Sequence, residues 1–430
     1  MMKKIARAVQ LIGAGSIVLV AAQAHASGYH FGVQSVSSQG VANSNAAEAA
    51  DASVVFYNPA GITNLDGTNF SGALIVVDPH VSASNVKASR TGLPAQSFTG
   101  GNGGSPTEPV VVPQMYLTHQ FSDNLYAGLG LFVPFGDKTD WDSTWAGRYN
   151  GINLELQTLA INPEIAYKIN DQFSIGAGVT AQYTEAKFSK AIIAGVVPAL
   201  PPRLIDGQLN YKGDDWGFGF NLGATWTVDP TLRFGLAYRS SIKHTLSGDA
   251  KGNVVASGAP IAALTANGTI DIETPESYSI NFMKKLNDVW TITGDYTRTG
   301  HSELHEIKLK LANGATATIP QNWNDTNRFS LGLQYQYSDK LKLRTGIAFD
   351  QSPVPSDDLR IVGLPDSDRT WFSLGLNYAF SKELSMDVAY TYVDIKNASM
   401  KTYEETSKTT TTADFSSYAN IFGLQLNYKF

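Results

Sequence analysis

From Phe70 to the end of the chain, apolar and polar positions alternate with a period of two. In residues 340–350, Leu341, Leu343, Thr345, Ile347 and Phe349 fall on one face and Lys340, Lys342, Arg344 and Asp350 on the other. The same alternation sets Phe329, Leu331, Leu333, Tyr335 and Tyr337 against Arg328, Ser330, Gln334, Gln336 and Ser338. It sets Phe372, Leu374, Leu376, Tyr378 and Phe380 against Ser373, Gly375, Asn377 and Ala379, and Leu232, Phe234, Leu236 and Tyr238 against Arg233 and Arg239. Strands with one apolar and one wet side belong to a half-solvated sheet or to the wall of a membrane barrel.

The connections separate these two alternatives. Tight turns built on Asp, Asn, Pro or Ser stand at residues 122–124, 170–172, 228–230, 286–288, 338–340 and 381–383, where such residues close a chain reversal. Between them lie long segments at 81–112, 135–152, 189–207, 248–267, 302–324, 351–367 and 397–417. Short and long connections alternate without exception. A barrel with brief turns on one side of a membrane and long loops on the other requires this, and a soluble sandwich does not. Six turns and seven loops join fourteen strands, an all-β antiparallel transmembrane barrel over residues 67–430. The last strand places Phe422, Leu424, Leu426, Tyr428 and Phe430 on one face and ends on an aromatic, resembling the insertion signal of outer-membrane proteins.

The first 26 residues fix the compartment. Lys3, Lys4 and Arg7 precede an apolar stretch from Ala8 to Ala22, and Ala24-His25-Ala26 offers a small-x-small cleavage site, the layout of a secretory signal peptide. Cleavage there removes three cations and takes the formal charge from −6 to −9, which argues against a nucleic-acid partner. With no cysteine in the chain, disulfides and thiolate chemistry are excluded. After residue 27 no run reaches the roughly 18 apolar residues of a helical span. A barrel wall reconciles that with 20 Phe and 19 Tyr, because lipid-facing and lumen-facing residues average out.

Residues 27–66 are rich in Ala, Ser, Asn and Gly and lack alternation. They are too few to bear their own core and can either dangle on the periplasmic side or fold up into the lumen as a plug, or hatch. Within them, Ser27-Gly28-Tyr29 and Asn58-Pro59-Ala60-Gly61 resemble the start and the hatch motif of the FadL family of outer-membrane long-chain fatty acid transporters. Val133-Pro134-Phe135-Gly136 and Trp145-Ala146-Gly147-Arg148-Tyr149 are similar to that family's third strand and following loop. The resemblance covers nearly the whole mature chain and implies a monomer in the outer membrane of a Gram-negative cell, in contact with its lipid. It implies ligand sites at Phe188, Lys190 and Tyr29, with Ile421 a further lumen-facing candidate, and a hatch hinged on Asn58, Pro59 and Ala60. It also implies a kink at Pro134 and Gly136 that opens the wall sideways. Proline lacks the ladder N–H and glycine weakens a strand, so the third strand simply ending there is the alternative.

Two outer loops, residues 191–202 and 254–266, are almost uncharged. Exposed apolar patches mark contact sites, here a surface that collects a hydrophobic ligand, unless the loops merely pack together as a cap. Lys190 beside apolar walls suits a carboxylate, with its alkyl stem along the ligand's tail; a solvated lysine at the barrel mouth is the alternative. His301 and His305, near Glu303 and Glu306, lack a metal-site spacing and read as a solvated loop. No nucleophile elbow, P-loop or H-E-x-x-H is present, so no enzyme activity and no cofactor are implied. The expected function is energy-free uptake of hydrophobic small molecules, long-chain fatty acids first and aromatic hydrocarbons second. A general porin, a lipid-acting barrel enzyme, and an adhesin or phage receptor are the rivals.

Overall fold

The computed structural model describes residues 28–91, 100–197 and 203–430. The expected signal peptide (1–26) and the distal part of the first apolar loop (198–202) lie outside the described residues. The strands are β1 (Thr68–Arg90), β2 (Val110–Gln120), β3 (Leu125–Phe132), β4 (Gly136–Asp140), β5 (Asn153–Lys168), β6 (Phe173–Val197) and β7 (Arg203–Asp229). They continue as β8 (Leu232–Arg239), β9 (Ile242–Val254), β10 (Ala266–Thr274), β11 (Ser277–Lys285), β12 (Trp290–Thr299), β13 (Glu306–Leu311) and β14 (Thr316–Pro320). β15 (Thr326–Gln336), β16 (Leu341–Asp350), β17 (Arg369–Ala379), β18 (Leu384–Glu404) and β19 (Thr409–Lys429) complete the set.

Fourteen of these strands form a closed antiparallel ring. β1 pairs with β2 and, from Asn69↔Lys429 onward, with β19. Around the wall β2 meets β3, β3 meets β5, and β5 to β8 follow in order. β8 then pairs with β11, β11 with β12, β12 with β15, and β15 through to β19 close the circuit. The six tight turns stand where the sequence predicts them. Outward-pointing Leu74, Phe218, Ile280, Leu331, Leu374 and Phe422 are half or more exposed, a surface that only lipid can cover. Near the turns an aromatic belt includes Phe173 stacked on Trp226 and Trp290 stacked on Tyr335, as at a membrane–water interface.

The expected long loops need correction. β9, β10, β13 and β14 pair into an extension sheet rising from β7, so much of 248–267 and 302–324 is strand. β6 with β7, and β18 with β19, continue as ribbons far into segments read as loops. Above the bilayer no face needs to be lipophilic, so the strands persist without the apolar alternation that would have revealed them. Register shifts at Ile193/Gly195 and Ile395/Ala398 interrupt the ladders of these two ribbons, as bulges do.

Residues 28–66 run inside the ring. A helical turn α1 (Val36–Gln39) lies against β17, β18 and β19, and a second, α2 (Val54–Tyr57), leads into a 3₁₀ turn at Pro59–Asn64 against β3, β5, β6 and β7. The segment is buried despite its polarity because the wall satisfies it. Gln425 accepts from the Val36 N–H at 2.9 Å, the Gln39 amide donates to the Ile421 carbonyl at 2.9 Å, and Glu48 accepts from Gln334 at 2.6 Å and Lys342 at 3.1 Å. Inward glycines make the room. A Cβ at Gly346 would strike the Val41 and Ala42 backbone, and one at Gly176 would lie 2.5 Å from the Pro59 carbonyl carbon.

Candidate functional site: an apolar cavity above a broken strand

Asn58, Pro59 and Ala60 form one anchor. The Asn58 side chain accepts from the Ala60 N–H at 3.0 Å, capping the 3₁₀ turn, with Pro59 in its first turn, where a missing N–H costs nothing. Its amide donates to the carbonyls of Ala224 and Leu236 at 3.1 and 3.2 Å. The motif therefore fastens the segment to β7 and β8.

Pro134 and Gly136 bracket a break in the wall. β2–β3 pairing runs only to Met115↔Leu131, β3 stops at Phe132, and β4 resumes at Gly136 paired to β5 alone. Among the described residues no strand pairs with that edge of β2 at Val110–Gln114. The start of the N-terminal segment docks there instead. The Phe31 N–H donates to the Pro134 carbonyl at 2.9 Å, the Gly136 N–H donates to the Tyr29 carbonyl at 2.9 Å, and His30 bridges Phe135. The Gln114 amide donates to the Val33 carbonyl at 2.9 Å. The third strand is thus interrupted here, and the backbone of the N-terminal segment takes over part of its ladder.

Tyr29 and His30, adjacent on that docked stretch, face different compartments. Tyr29 lines an apolar cavity of about 1180 Å³, counted out to its open mouth. His30 lines a polar one of about 790 Å³, with Arg239, Arg328, Asp295 and Asp350 on its walls. The apolar cavity is walled by Leu154 and Leu156 of β5, Ala186, Phe188 and Lys190 of β6, and Leu246, Ile270, Ile272, Ile307, Leu309 and Ile319 of the extension sheet, with Trp141, Trp323 and Leu364 from the loops. Its floor is aromatic. The Tyr29 ring lies 5.7 Å from Phe135, 5.6 Å from Trp323 and 6.0 Å from His301, and its hydroxyl donates to the Glu273 carbonyl at 3.0 Å.

Three of the four expected ligand residues therefore meet at one cavity. Ile421 does not. It faces inward as its alternation predicts, but it packs with Val36, Val33 and Trp371 in the core between plug and wall. Lys190 is not a solvated lysine: it is 4% exposed, and its Nζ sits 2.6 Å from Oε1 of Glu404. Burial alone would raise the Glu404 carboxyl, but the Lys190 ammonium and the Ser407 donors outweigh it and hold it below the usual carboxylate range. His301 corrects another expectation. His305, Glu303 and Glu306 are exposed, but His301 is buried against Tyr29 and Trp323, and neither ring nitrogen has a hydrogen-bond partner. Burial drives its pKa down to about 3, so it stands in the floor as a neutral ring.

Of the two apolar loops, the first begins as strand, with Ala191 and Ile192 buried. The second is open, with Val255 57% exposed and Ile261 and Leu264 packed on the extension sheet beside the cavity.

The sequence pattern of the family described as outer membrane protein transport protein (OMPP1/FadL/TodX) matches residues 17–430. A protein of Neisseria meningitidis serogroup B, whose name carries a membrane location and no substrate, is 39% identical over 95% of this chain and 96% of its own length. The long-chain fatty acid transport protein of Escherichia coli O6:H1 is 32% identical over 96% of this chain and 97% of its own. Among solved structures, a Pseudomonas aeruginosa FadL homologue superposes with a TM-score of 0.86 at 23% identity, covering 94% of this chain and all of that one. The Pseudomonas putida toluene transporter TodX superposes with a TM-score of 0.66 at 16% identity, over 95% and 99%.

Proposed function

The chain belongs to the OMPP1/FadL/TodX family of outer membrane transport proteins, and from that premise we propose that it carries hydrophobic small molecules, long-chain fatty acids foremost, passively across the outer membrane. The observation that carries the reading is the placement of Tyr29: its side chain floors the apolar cavity while its carbonyl accepts from the N–H of Gly136 at the wall break. Ligand adsorbs on the apolar loops and partitions into the cavity. Below that floor it would meet the polar lumen around Arg239 and Arg328, where hydrocarbon is disfavoured by about 25 cal/mol per Å² of apolar surface left in water. Sideways, past the free edge of β2, it meets lipid. A shift of the hatch that frees Tyr29–Phe31 from Pro134 and Gly136 opens that route, and no energy source is needed because the ligand gains by leaving water. Retention must stay modest for the carrier to turn over.

A second reading, aromatic hydrocarbon uptake, is favoured by cavity walls that are almost entirely hydrocarbon. The deciding experiment measures uptake of a labelled long-chain fatty acid and of labelled toluene by cells lacking their own transporter, expressing this chain or its Ala186→Trp variant. Fatty acid uptake that falls about tenfold in the variant, at equal outer-membrane levels, is the expected result, since an indole on that wall occupies space the ligand needs. Uptake of toluene alone would move the substrate to the second reading. Influx of sugars in proportion to expression would point to a porin.

A further inference from the structure

The cavity's apolar walls admit the tail of many molecules, so the head group is read by whatever charge the cavity offers. Two ammonium groups line it, Lys187 and Lys190, together with the carboxyl side chains of Asp137 and Glu155, and both ammonium groups are already paired. Lys187 lies 2.6 Å from Glu155 and 3.3 Å from Glu185. Lys190, deeper and 4% exposed, lies 2.6 Å from Glu404, a residue 214 positions away in the chain. Glu404 stands behind the wall, outside the lining. Its second oxygen accepts from the Ser407 N–H at 2.6 Å and the Ser407 hydroxyl at 2.5 Å. Those bonds form within the β18–β19 hairpin itself, so the hairpin's own donors hold the carboxylate that faces Lys190.

We propose that Glu404 is a specificity-determining residue: by neutralising Lys190 from behind the cavity wall, it sets the cavity to accept uncharged heads in preference to ionised carboxylates. An ionised head reaching Lys190 shares one ammonium with a resident carboxylate that carries its own donors, and the two negative charges repel between mostly apolar walls. An alcohol, a protonated acid or a bare hydrocarbon meets no such opposition. A fatty acid is then held by its chain and not by a salt bridge, which keeps the bound state shallow enough for release. The proposal rests on reading this cavity as the ligand site.

Trp141 and Trp323 line the cavity, so their fluorescence reports occupancy. The test titrates bromoundecanoic acid and bromoundecanol, matched in chain and differing in head, into the full chain in nanodiscs at neutral pH and follows quenching. The unaltered protein is expected to bind the alcohol at least as tightly as the acid. Glu404→Gln, which keeps the shape and still accepts from Ser407, is expected to tighten the acid about tenfold, the worth of one freed charge-assisted contact, and to leave the alcohol within about twofold. Glu404→Asp should behave as the unaltered chain, and the double variant Glu404→Gln, Lys190→Gln should lose the gain, which separates charge from a folding defect. An acid-to-alcohol ratio that Glu404→Gln leaves unchanged, or an unaltered protein preferring the acid by more than about tenfold, overturns the proposal. Failure of both ligands to quench overturns the ligand-site reading itself.

Discussion

At the scale of single residues, His301 carries the sharpest consequence. Its ring is buried between Tyr29 and Trp323 with its pKa lowered to about 3, whereas in an unfolded chain it titrates near 6.5. Between those values the unfolded state binds a proton that the folded state does not, so stability falls as pH drops below about 6.5. The floor of the cavity is therefore acid-sensitive, and His301→Phe, close in shape and unable to charge, should remove that sensitivity. Thermal midpoints of the purified protein should be raised by the substitution by several degrees at pH 5 and by much less at pH 7.5. Equal gains at both pH values would mean that packing, not protonation, governs the site. Sequence spacing alone points to a solvated loop here, since His305, Glu303 and Glu306 are exposed. The one buried member is identified only by partners remote from each other in the chain, Tyr29 on one side and Trp323 on the other, and Lys190 with Glu404 is hidden in the same way.

At the scale of elements, legibility followed the solvent. Where strands cross the bilayer, one face must be apolar, and Leu341 to Phe349 or Phe422 to Phe430 could be read directly. Where β6, β7, β18 and β19 rise above it, both faces are permitted polar residues, and sequences such as Thr409–Ala413 resemble loop. Glycine behaved differently. Gly332, Gly346, Gly375 and Gly423 are ordinary alternation partners in the sequence, and only the packed plug explains them: each leaves space that a residue of 36–44 fills. Gly346→Val should thus displace the Val41–Ala42 stretch without breaking the ring, because the added side chain meets its backbone, which cannot yield. Limited proteolysis should cut the segment around residues 36–66 at least about tenfold faster, with the heat-modifiable mobility of the folded barrel retained. Unchanged protection would mean that the wall flexes outward and that the plug is not seated by these glycines.

At the scale of the molecule, the question is whether the plug must move as a unit for ligand to pass. The break between β3 and β4 is bridged by Tyr29–Val33, while the same segment is anchored elsewhere by Asn58 on β7 and β8 and by Glu48 on Gln334 and Lys342. Movement at the top can be local, or it can need release of the lower anchors. The absence of native cysteine makes this testable without background thiols. Ser44 and Thr293 touch through their hydroxyl oxygens at 2.7 Å, close enough for a Ser44→Cys, Thr293→Cys pair to bridge plug to wall after a small adjustment. If the whole plug shifts during transport, oxidised cells should lose most of their hydrophobic-ligand uptake, about tenfold or more, and recover it with dithiothreitol, while either single variant transports normally. If the oxidised pair transports at the full rate, the lower plug is static. The gate then reduces to Tyr29–Phe31 peeling away from Pro134 and Gly136, a motion of three residues bounded by two backbone hydrogen bonds.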